Sequence, residues 1–458
     1  MKLDLAPLLR LYADGQYPSL VEQVDLALAE FPETFELYNI KGAALAAMSR
    51  TDDSINSYKK ALKINRKSAE THNNLAAALQ DKGDIQAAIR HHKTALRLNP
   101  NFAEAHNNLG NALVKSGKAK QAGACFQRAI ALAPQYSDAY YNLANLLKDN
   151  MQYDAAIAHY QVALKIRPDV LSVVLNLGNA HLAKKDLDSA IASFRQVIGL
   201  RPEHSEAHNN LAMALHEKGE LDEAAVCYRK AHELNPSLVG AKHLADALNG
   251  VTTDAAPHGF VQSLFDSYAS TFEASLIDGL NYETPKLIAK LLPFKDAKTP
   301  HGRVLDLGCG TGLVGEEVRP FVQHLVGIDV SQKMLDQAAG KKIYDELIQA
   351  DIDAFLGDRA GEFDVFIAGD VFVYIGDLGR IFQRIKSKAA AGGRLIFSTE
   401  HMEAGNFSLL PSGRYAHSQA YIEGLCQQYG YAVSHFSLVD LRLEKQQYLK
   451  GGLYVLTF

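Results

Sequence analysis

The stretch from Arg303 to Gly312 reads RVLDLGCGTG. It opens as a short apolar run, Val304-Leu305-Asp306-Leu307, and then puts glycine at every second position: Gly308, Gly310 and Gly312. A buried parallel strand that ends in such a loop and opens into a helix is the nucleotide-binding corner of a doubly wound α/β sheet. Glycine takes backbone angles that a Cβ forbids and lets the main chain approach a ligand closely. The spacing is GxGxG, not the dinucleotide GxGxxG, so the loop alone does not choose the ligand.

The segments that follow narrow the choice. Seventeen residues after Gly312, Asp329 ends a second apolar run that starts at His324. An acidic residue there can accept hydrogen bonds from both hydroxyls of an adenosine ribose. A third run, Glu346 to Asp351, brings another acid, Asp351, towards where an adenine would sit. A fourth, Phe363 to Asp370, ends beside the same pocket, and Gly393 to Glu400 is the fifth.

From about residue 260 to 458 the chain resembles the class I S-adenosylmethionine-dependent methyltransferases. VLDLGCGTG, GIDVS (Gly327 to Ser331) and QADI (Gln349 to Ile352) match that family's first three motifs in order and spacing. The resemblance implies an α/β doubly wound, Rossmann-like fold of seven strands, with S-adenosyl-L-methionine as cofactor. It implies that Asp306, Gly308, Cys309, Gly310, Thr311 and Gly312 cradle the methionine part, with Cys309 a filler and not a nucleophile. Asp329 would hold the ribose, Val330 and Met334 would pack on the adenine, and Asp351 and Ile352 would contact its edge. Gly369 and Asp370 would line the sulfonium side. The family's DPPY or NPPY tetrapeptide is absent after Asp370, where the chain reads Val371-Phe372-Val373-Tyr374. That argues against N-methylation of adenine or glutamine. Another nucleotide-binding α/β domain, or a methyltransferase fold without activity, remains open at this point.

The first half of the chain has a different grammar. Prolines stand at 32, 100, 134, 168, 202 and 236, with an interval of 34 from Pro100 onward and Arg66 in the missing slot. Such a period marks a helix–turn–helix solenoid. Ala88, Ala122, Ala156, Ala190 and Ala224 recur at that interval, and Tyr58, Phe126, Tyr160, Phe194 and Tyr228 supply the bulky partner, with His92 as the exception. Small residues let antiparallel helices approach, an aromatic fills the gap to the next pair, and proline ends each second helix. These residues resemble the tetratricopeptide repeat, implying an all-α superhelix over residues 1–249. Six clear repeats span 35–238, a degenerate first one covers 1–34, and a helix over 239–248 caps the array.

Asn74, Asn108, Asn142, Asn176 and Asn210 recur at position six of successive repeats. On the groove-lining helices, amides can bond an extended peptide's backbone without reading its side chains. This is similar to the asparagine ladder of the protein O-GlcNAc transferase family and implies a polypeptide partner in the concave face. The bland reading is that asparagine here simply solvates an inner face.

Residues 250–259 have linker chemistry. Residues 260–292, FVQSLFDSYASTFEASLIDGLNYETPKLIAKLL, carry apolar residues at helical spacing and resemble the lead-in of bacterial methyltransferases fused to such repeats, where this segment folds over the cofactor as a lid helix. Tyr268 and Phe272 are the expected lid residues; core packing of an amphipathic helix is the alternative. Residues 401–417 read as the least regular stretch of this half, a loop at the mouth containing PSGRYAHS (Pro411 to Ser418). Arg414 there could grip a carboxylate or phosphate, and His417 could act as general base, or both could merely hold the loop. Residues 433–444 and 446–458 read as two final strands, with Arg442 and Glu444 a solvated pair on one face.

The 458 residues exceed one core and suggest two or three domains. The formal charge of −5, without long lysine or arginine runs, argues against a general nucleic-acid or anionic-membrane surface. The four cysteines are far apart and suggest neither a zinc site nor a disulfide framework, so no metal is expected. No signal peptide and no membrane-length apolar run are read, so a cytoplasmic protein is expected. Three functions stay open: a methyltransferase whose array captures a polypeptide, a small-molecule or carrier-bound-metabolite methyltransferase whose array serves docking, and a non-catalytic S-adenosylmethionine-binding scaffold. The methyl acceptor is not legible.

Overall fold

The computed structural model describes residues 4–269, 272–274, 282–295, 300–358, 362–444 and 447–458. They form two compact units, Met1–Pro202 and Glu203–Phe458.

The first unit is built from antiparallel helix pairs, beginning with Ala6–Ala13 and Tyr17–Glu30 and ending with Leu171–Ala183 and Leu187–Leu200. Second helices stop at Leu98, Leu132 and Ile166, each two residues before Pro100, Pro134 and Pro168. On the first helices, glycines meet the aromatics of the second helices. A Cβ built on Gly110 would lie 2.4 Å from the Phe126 ring, and one on Gly178 would lie 2.6 Å from Phe194. The ring of one helix therefore rests directly on the backbone of its partner. His92, at the aromatic position, is also fully buried, and its Nδ1 bonds Asn73 Oδ1 at 3.0 Å.

The second unit starts with the last repeat pair, Ser205–Lys218 and Leu221–Leu234, followed by the cap helix Val239–Leu248. The α/β part follows. Its strands are β1 (His301–Leu307), β2 (Val322–Asp329), β3 (Glu346–Gln349), β4 (Phe363–Ala368), β5 (Ala389–Met402), β6 (Phe407–Leu409), β7 (Tyr415–Ser418), β8 (Ala432–Glu444) and β9 (Gln447–Thr457). The sheet runs β3-β2-β1-β4-β5 and branches at β5, to β7-β6 and to β9-β8. Strands β1 to β5 are parallel, and β9 is antiparallel to both β5 and β8. The central runs are apolar because helices cover both faces: Leu305, Phe366 and Leu395 are fully buried in one layer, Val304, Val365 and Ile396 in the other.

Two expectations need correction. Residues 401–417 are not irregular. β5 runs on to Met402, its end pairs in parallel with β7, and β6 and β7 form an antiparallel pair, so nine strands are described instead of seven. Strands of three and four residues are too short to show a period of two. Nor is 260–292 one helix. Its described parts are His258–Tyr268, Phe272–Ala274 and Thr284–Lys290, and residues 275–281 lie outside the described residues.

The order places β1 and β4 side by side, where the sheet changes winding direction. The loops after these two strands diverge, and the crevice left at their carboxyl ends is where a doubly wound sheet takes its ligand.

Candidate active site

The RVLDLGCGTG turn leaves β1 with Gly308, Gly310 and Gly312 all at positive φ, 65°, 55° and 89°. A Cβ on Gly308 would also lie 2.7 Å from Val371 on the loop after β4. The turn is locked to β2 by two bonds: Cys309 N–H donates to the Ile328 carbonyl at 2.9 Å, and Gly310 N–H donates to Asp329 Oδ2 at 2.9 Å. Ser331 N–H donates to Asp329 Oδ1 at 2.8 Å. Burial raises the Asp329 carboxyl above its ordinary range, and the N–H groups of Ser331 and Gly310 pull the other way.

These elements bound a cavity of 620 Å³. Of the expected cofactor residues, Gly308, Cys309, Gly310, Thr311, Asp329, Val330, Asp351, Ile352, Gly369 and Asp370 line it. Asp351 also caps the helix Ile352–Asp358, its Oδ1 accepting from the N–H groups of Asp353 and Ala354 at 2.9 and 3.2 Å.

Four expected residues sit elsewhere. Asp306 is 1% exposed beneath the turn, where Tyr344 donates to its Oδ2 at 2.7 Å and burial pushes its carboxyl up to about 7. Gly312 starts the next helix at the back of the turn, packed against Tyr344. Met334 is fully buried under the helix Gln332–Lys341. Tyr268 is half exposed at the end of its helix and does not line the cavity. The aromatic cover comes from Phe265 and Phe272, whose rings meet edge-on at 6.0 Å, and Phe265 also meets Tyr374 at 5.4 Å. The helix ends at Tyr268, so the i, i+4 spacing of Tyr268 and Phe272 does not place them on one face.

His417 does not reach the cavity either. It is fully buried on β7, its Nε2–H donates to the Gly376 carbonyl at 2.9 Å, and its ring stacks on Tyr421. Burial takes its pKa down to about 4. A group so engaged holds the loop and does not serve as a base at the cavity. Arg414 does line the cavity, together with Arg442. Arg442 is not a solvated residue: it is 8% exposed, donating to Asp370 Oδ2 at 3.0 Å and to Glu400 Oε1 at 2.8 Å. Arg414 bonds the same Glu400 Oε1 and also Glu444. Burial alone would lower the Arg442 pKa, but Asp370 and Glu400 more than offset it and hold the guanidinium charged. Strand alternation puts Arg442 and Glu444 on one face. It does not reveal that this face of β8 turns towards β5 and the loop after β4.

The segment before residue 260 also forms part of the wall. Asp254, Ala255, Ala256 and His258 line the cavity. The Asp254 carbonyl accepts from Gly376 N–H and Asp377 N–H, both at 2.8 Å, and Ala256 N–H donates to the Tyr374 carbonyl at 3.0 Å. The expected linker is thus hydrogen-bonded into the site. His258, a cavity histidine, carries no motif signal.

The asparagine series has partners within the array. Asn108 Nδ2 donates to Asn73 Oδ1 at 3.3 Å, Asn142 Nδ2 to Asn107 Oδ1 at 2.9 Å, and Asn176 Nδ2 to the Tyr141 hydroxyl at 3.0 Å. All five asparagines are half-buried, and at three of them an amide donor ties one repeat to the preceding one.

Comparison with known proteins agrees with this architecture. Residues 305–397 match a family described as a methyltransferase domain. Residues 108–170 and 175–238 match the tetratricopeptide repeat, and 42–83 and 79–117 match a second description of that repeat. The chain therefore joins tetratricopeptide repeats to a methyltransferase domain. It is 31% identical over 103 residues to the ubiquinone biosynthesis O-methyltransferase of Aromatoleum aromaticum, covering 21% of this chain and 43% of that one. It is 31% identical over 139 residues to the malonyl-[acyl-carrier protein] O-methyltransferase of Halalkalibacterium halodurans, covering 28% and 51%. The chain thus spans about half the length of the curated relatives it matches. Among solved structures, that of the APC/C hetero-tetramer Cut9–Hcn1 aligns at 20% identity and a TM-score of 0.46, over 54% of this chain and 49% of that one. Among the described residues no helix is long and apolar enough to cross a membrane, and no cluster of metal-ligating side chains occurs.

Proposed function

We propose that the α/β part binds S-adenosyl-L-methionine and transfers its methyl group to a small or carrier-borne acceptor, while the repeats bind a polypeptide partner. The observation that carries the cofactor assignment is the glycine turn bonded to Asp329 at the edge of one cavity that both line. A Cβ built at Gly310 would find nothing nearer than Phe272 at 3.9 Å, so the turn leaves room for a ligand at its edge. Thr311 Oγ1 is buried without a hydrogen-bond partner among the described residues, a group that a bound polar ligand would satisfy. Asp329 would take the ribose hydroxyls, and Asp351 and Ile352 the adenine edge.

Bound S-adenosylmethionine supplies a methyl group on a cationic sulfonium. The chain's own contribution is alignment and exclusion of water, with Phe265 and Phe272 covering the cavity. Asp370 is held by Ser398, which donates to its Oδ1 at 2.8 Å, and by Arg442. The names of the relatives, O-methyltransferases acting in ubiquinone biosynthesis and on malonyl-acyl carrier protein, support a small or carrier-borne acceptor over a protein side chain.

The test is incubation of the full chain with methyl-radiolabelled S-adenosylmethionine and a cell lysate, with Asp329→Ala as control, and separation of products by size. Label in the small fraction, or on a carrier protein, supports this reading. Label in other protein bands would return the acceptor to polypeptide, and no label with cofactor binding intact would leave a scaffold.

A further inference from the structure

We infer that the methyl acceptor carries a carboxylate, held by Tyr374, Arg414 and Arg442. This deepens the proposed function and rests on its cofactor assignment. The three side chains come from the loop after β4, the β6–β7 turn and β8, and all three line the cavity. The arginine side chains are shielded: Arg442 is 10% and Arg414 20% exposed. Each arginine has five N–H donors, and the bonds made to carboxylates engage two nitrogens of each. Donors remain on both.

The arrangement of the acids decides the sign. Three carboxylates touch the arginines, but Glu400 and Glu444 do not line the cavity. Glu400 bonds both arginines through one oxygen and so fixes their planes relative to each other. Towards the cavity this corner shows two guanidinium groups and one carboxylate, Asp370. Asp370 is itself taken up by Ser398 and Arg442. Tyr374 lines the cavity beside them, and burial raises its pKa to about 12, so its hydroxyl stays protonated and able to donate. A planar anion with two oxygens matches such a set, since arginine recognises carboxylate through paired N–H donors in one plane. A neutral acceptor can still accept from these donors but forgoes the charge-assisted part of the bond, and a cationic one would meet the two guanidinium charges.

The test uses the full chain, with S-adenosylhomocysteine as the cofactor-site probe and glutarate as the carboxylate probe. Glutaramide, of the same shape without charge, is the control. Calorimetry first measures S-adenosylhomocysteine alone, which tests the cofactor assignment separately. Glutarate and glutaramide are then titrated into both the loaded and the unloaded protein. Glutarate is expected to bind about tenfold or more tighter than glutaramide. Arg414→Gln and Tyr374→Phe should each remove most of that preference and leave S-adenosylhomocysteine affinity within about twofold. Arg442→Met is expected to abolish it, but is read only beside those two variants, since it also removes the ion pairs of Arg442 with Asp370 and Glu400. Equal binding of the two probes, or glutarate binding that ignores both Arg414→Gln and Tyr374→Phe, overturns the inference. So does a fall of about tenfold in S-adenosylhomocysteine affinity in those variants, which would show that the arginines hold the cofactor's own carboxylate. Glutarate preference without S-adenosylhomocysteine binding would keep the anion site and overturn the cofactor assignment.

Discussion

His243 Nε2 donates to the carbonyl of Gly413 at 2.9 Å, linking the cap helix of the repeats to the turn that carries Arg414. The His243 ring also packs on Phe260 and Tyr415, and a Cβ on Gly413 would lie 2.9 Å from Leu244. His243 is 2% exposed, so the Gly413 carbonyl has little access to water if the bond is lost. His243→Phe keeps a ring but removes the donor and should cost about 1–3 kcal/mol. Hydrogen exchange at residues 412–416 should speed up accordingly, and His243→Gln should restore part of the protection. Unchanged exchange in the Phe variant would mean that packing alone holds the turn.

Asp329 accepts from Gly310 and Ser331 and faces the cavity. A charged hydrogen bond to one ribose hydroxyl contributes about 1.5–3 kcal/mol, so Asp329→Ala should weaken S-adenosylmethionine binding by about ten- to a hundredfold. Calorimetry decides it, and equal affinity would remove the ribose assignment.

The buried His417 predicts a pH dependence of stability. Its pKa falls from 6.5 to about 4 on folding because burial disfavours the cation. Between those values the unfolded chain binds a proton that the folded chain does not, so stability falls as pH drops through that window. Asp306 acts in the opposite sense, its carboxyl being raised to about 7, so the wild-type profile is a sum. The difference between variants isolates the histidine: in His417→Gln the loss of stability between about pH 7 and pH 4.5 should shrink by roughly 2 kcal/mol. Denaturant unfolding at the two pH values, followed by hydrogen exchange in β7, checks this. An identical loss in both proteins would place the acid sensitivity elsewhere.

In the array, Gly110 lets the Phe126 ring rest on its backbone. Alanine favours helix by about 1 kcal/mol, yet its Cβ would fall 2.4 Å from that ring. Overpacking should win, and Gly110→Ala should lower stability by about 1–3 kcal/mol. A rise in the melting temperature would show that the ring can slide to admit the methyl group, as the packing of Ala144 with Tyr160 in another repeat accommodates one.

The sequence by itself determined the order of the elements. Regular periods and a glycine turn are local: a 34-residue interval dictates its own helix pairs, and the Gly308-Gly310-Gly312 spacing makes its own turn. The acids that end β2 and precede the helix after β3 are read from strand ends in the same way. Hence the two halves and the run of parallel strands were legible in the amino-acid sequence, and ten of the fourteen residues it marks for the cofactor line the cavity.

What the tertiary structure alone decided is which side chains turn into the cavity and which turn into the packing around it. Met334 and Asp306 carry family motifs but point into the core, and His417 has a base's chemistry but lies on the buried side of a three-residue pairing with β5. Arg442 reads as a surface residue and is a buried cation, because its charge is set by Asp370 and Glu400, which are 72 and 42 residues away in sequence. The asparagine series shows the same limit: its period is visible, but whether an amide faces a ligand or the preceding repeat depends on a neighbour 35 residues back. Periodicity fixes a face of an element. The partner across that face, and with it the burial, the charge state and the chemistry, is a long-range property of the fold.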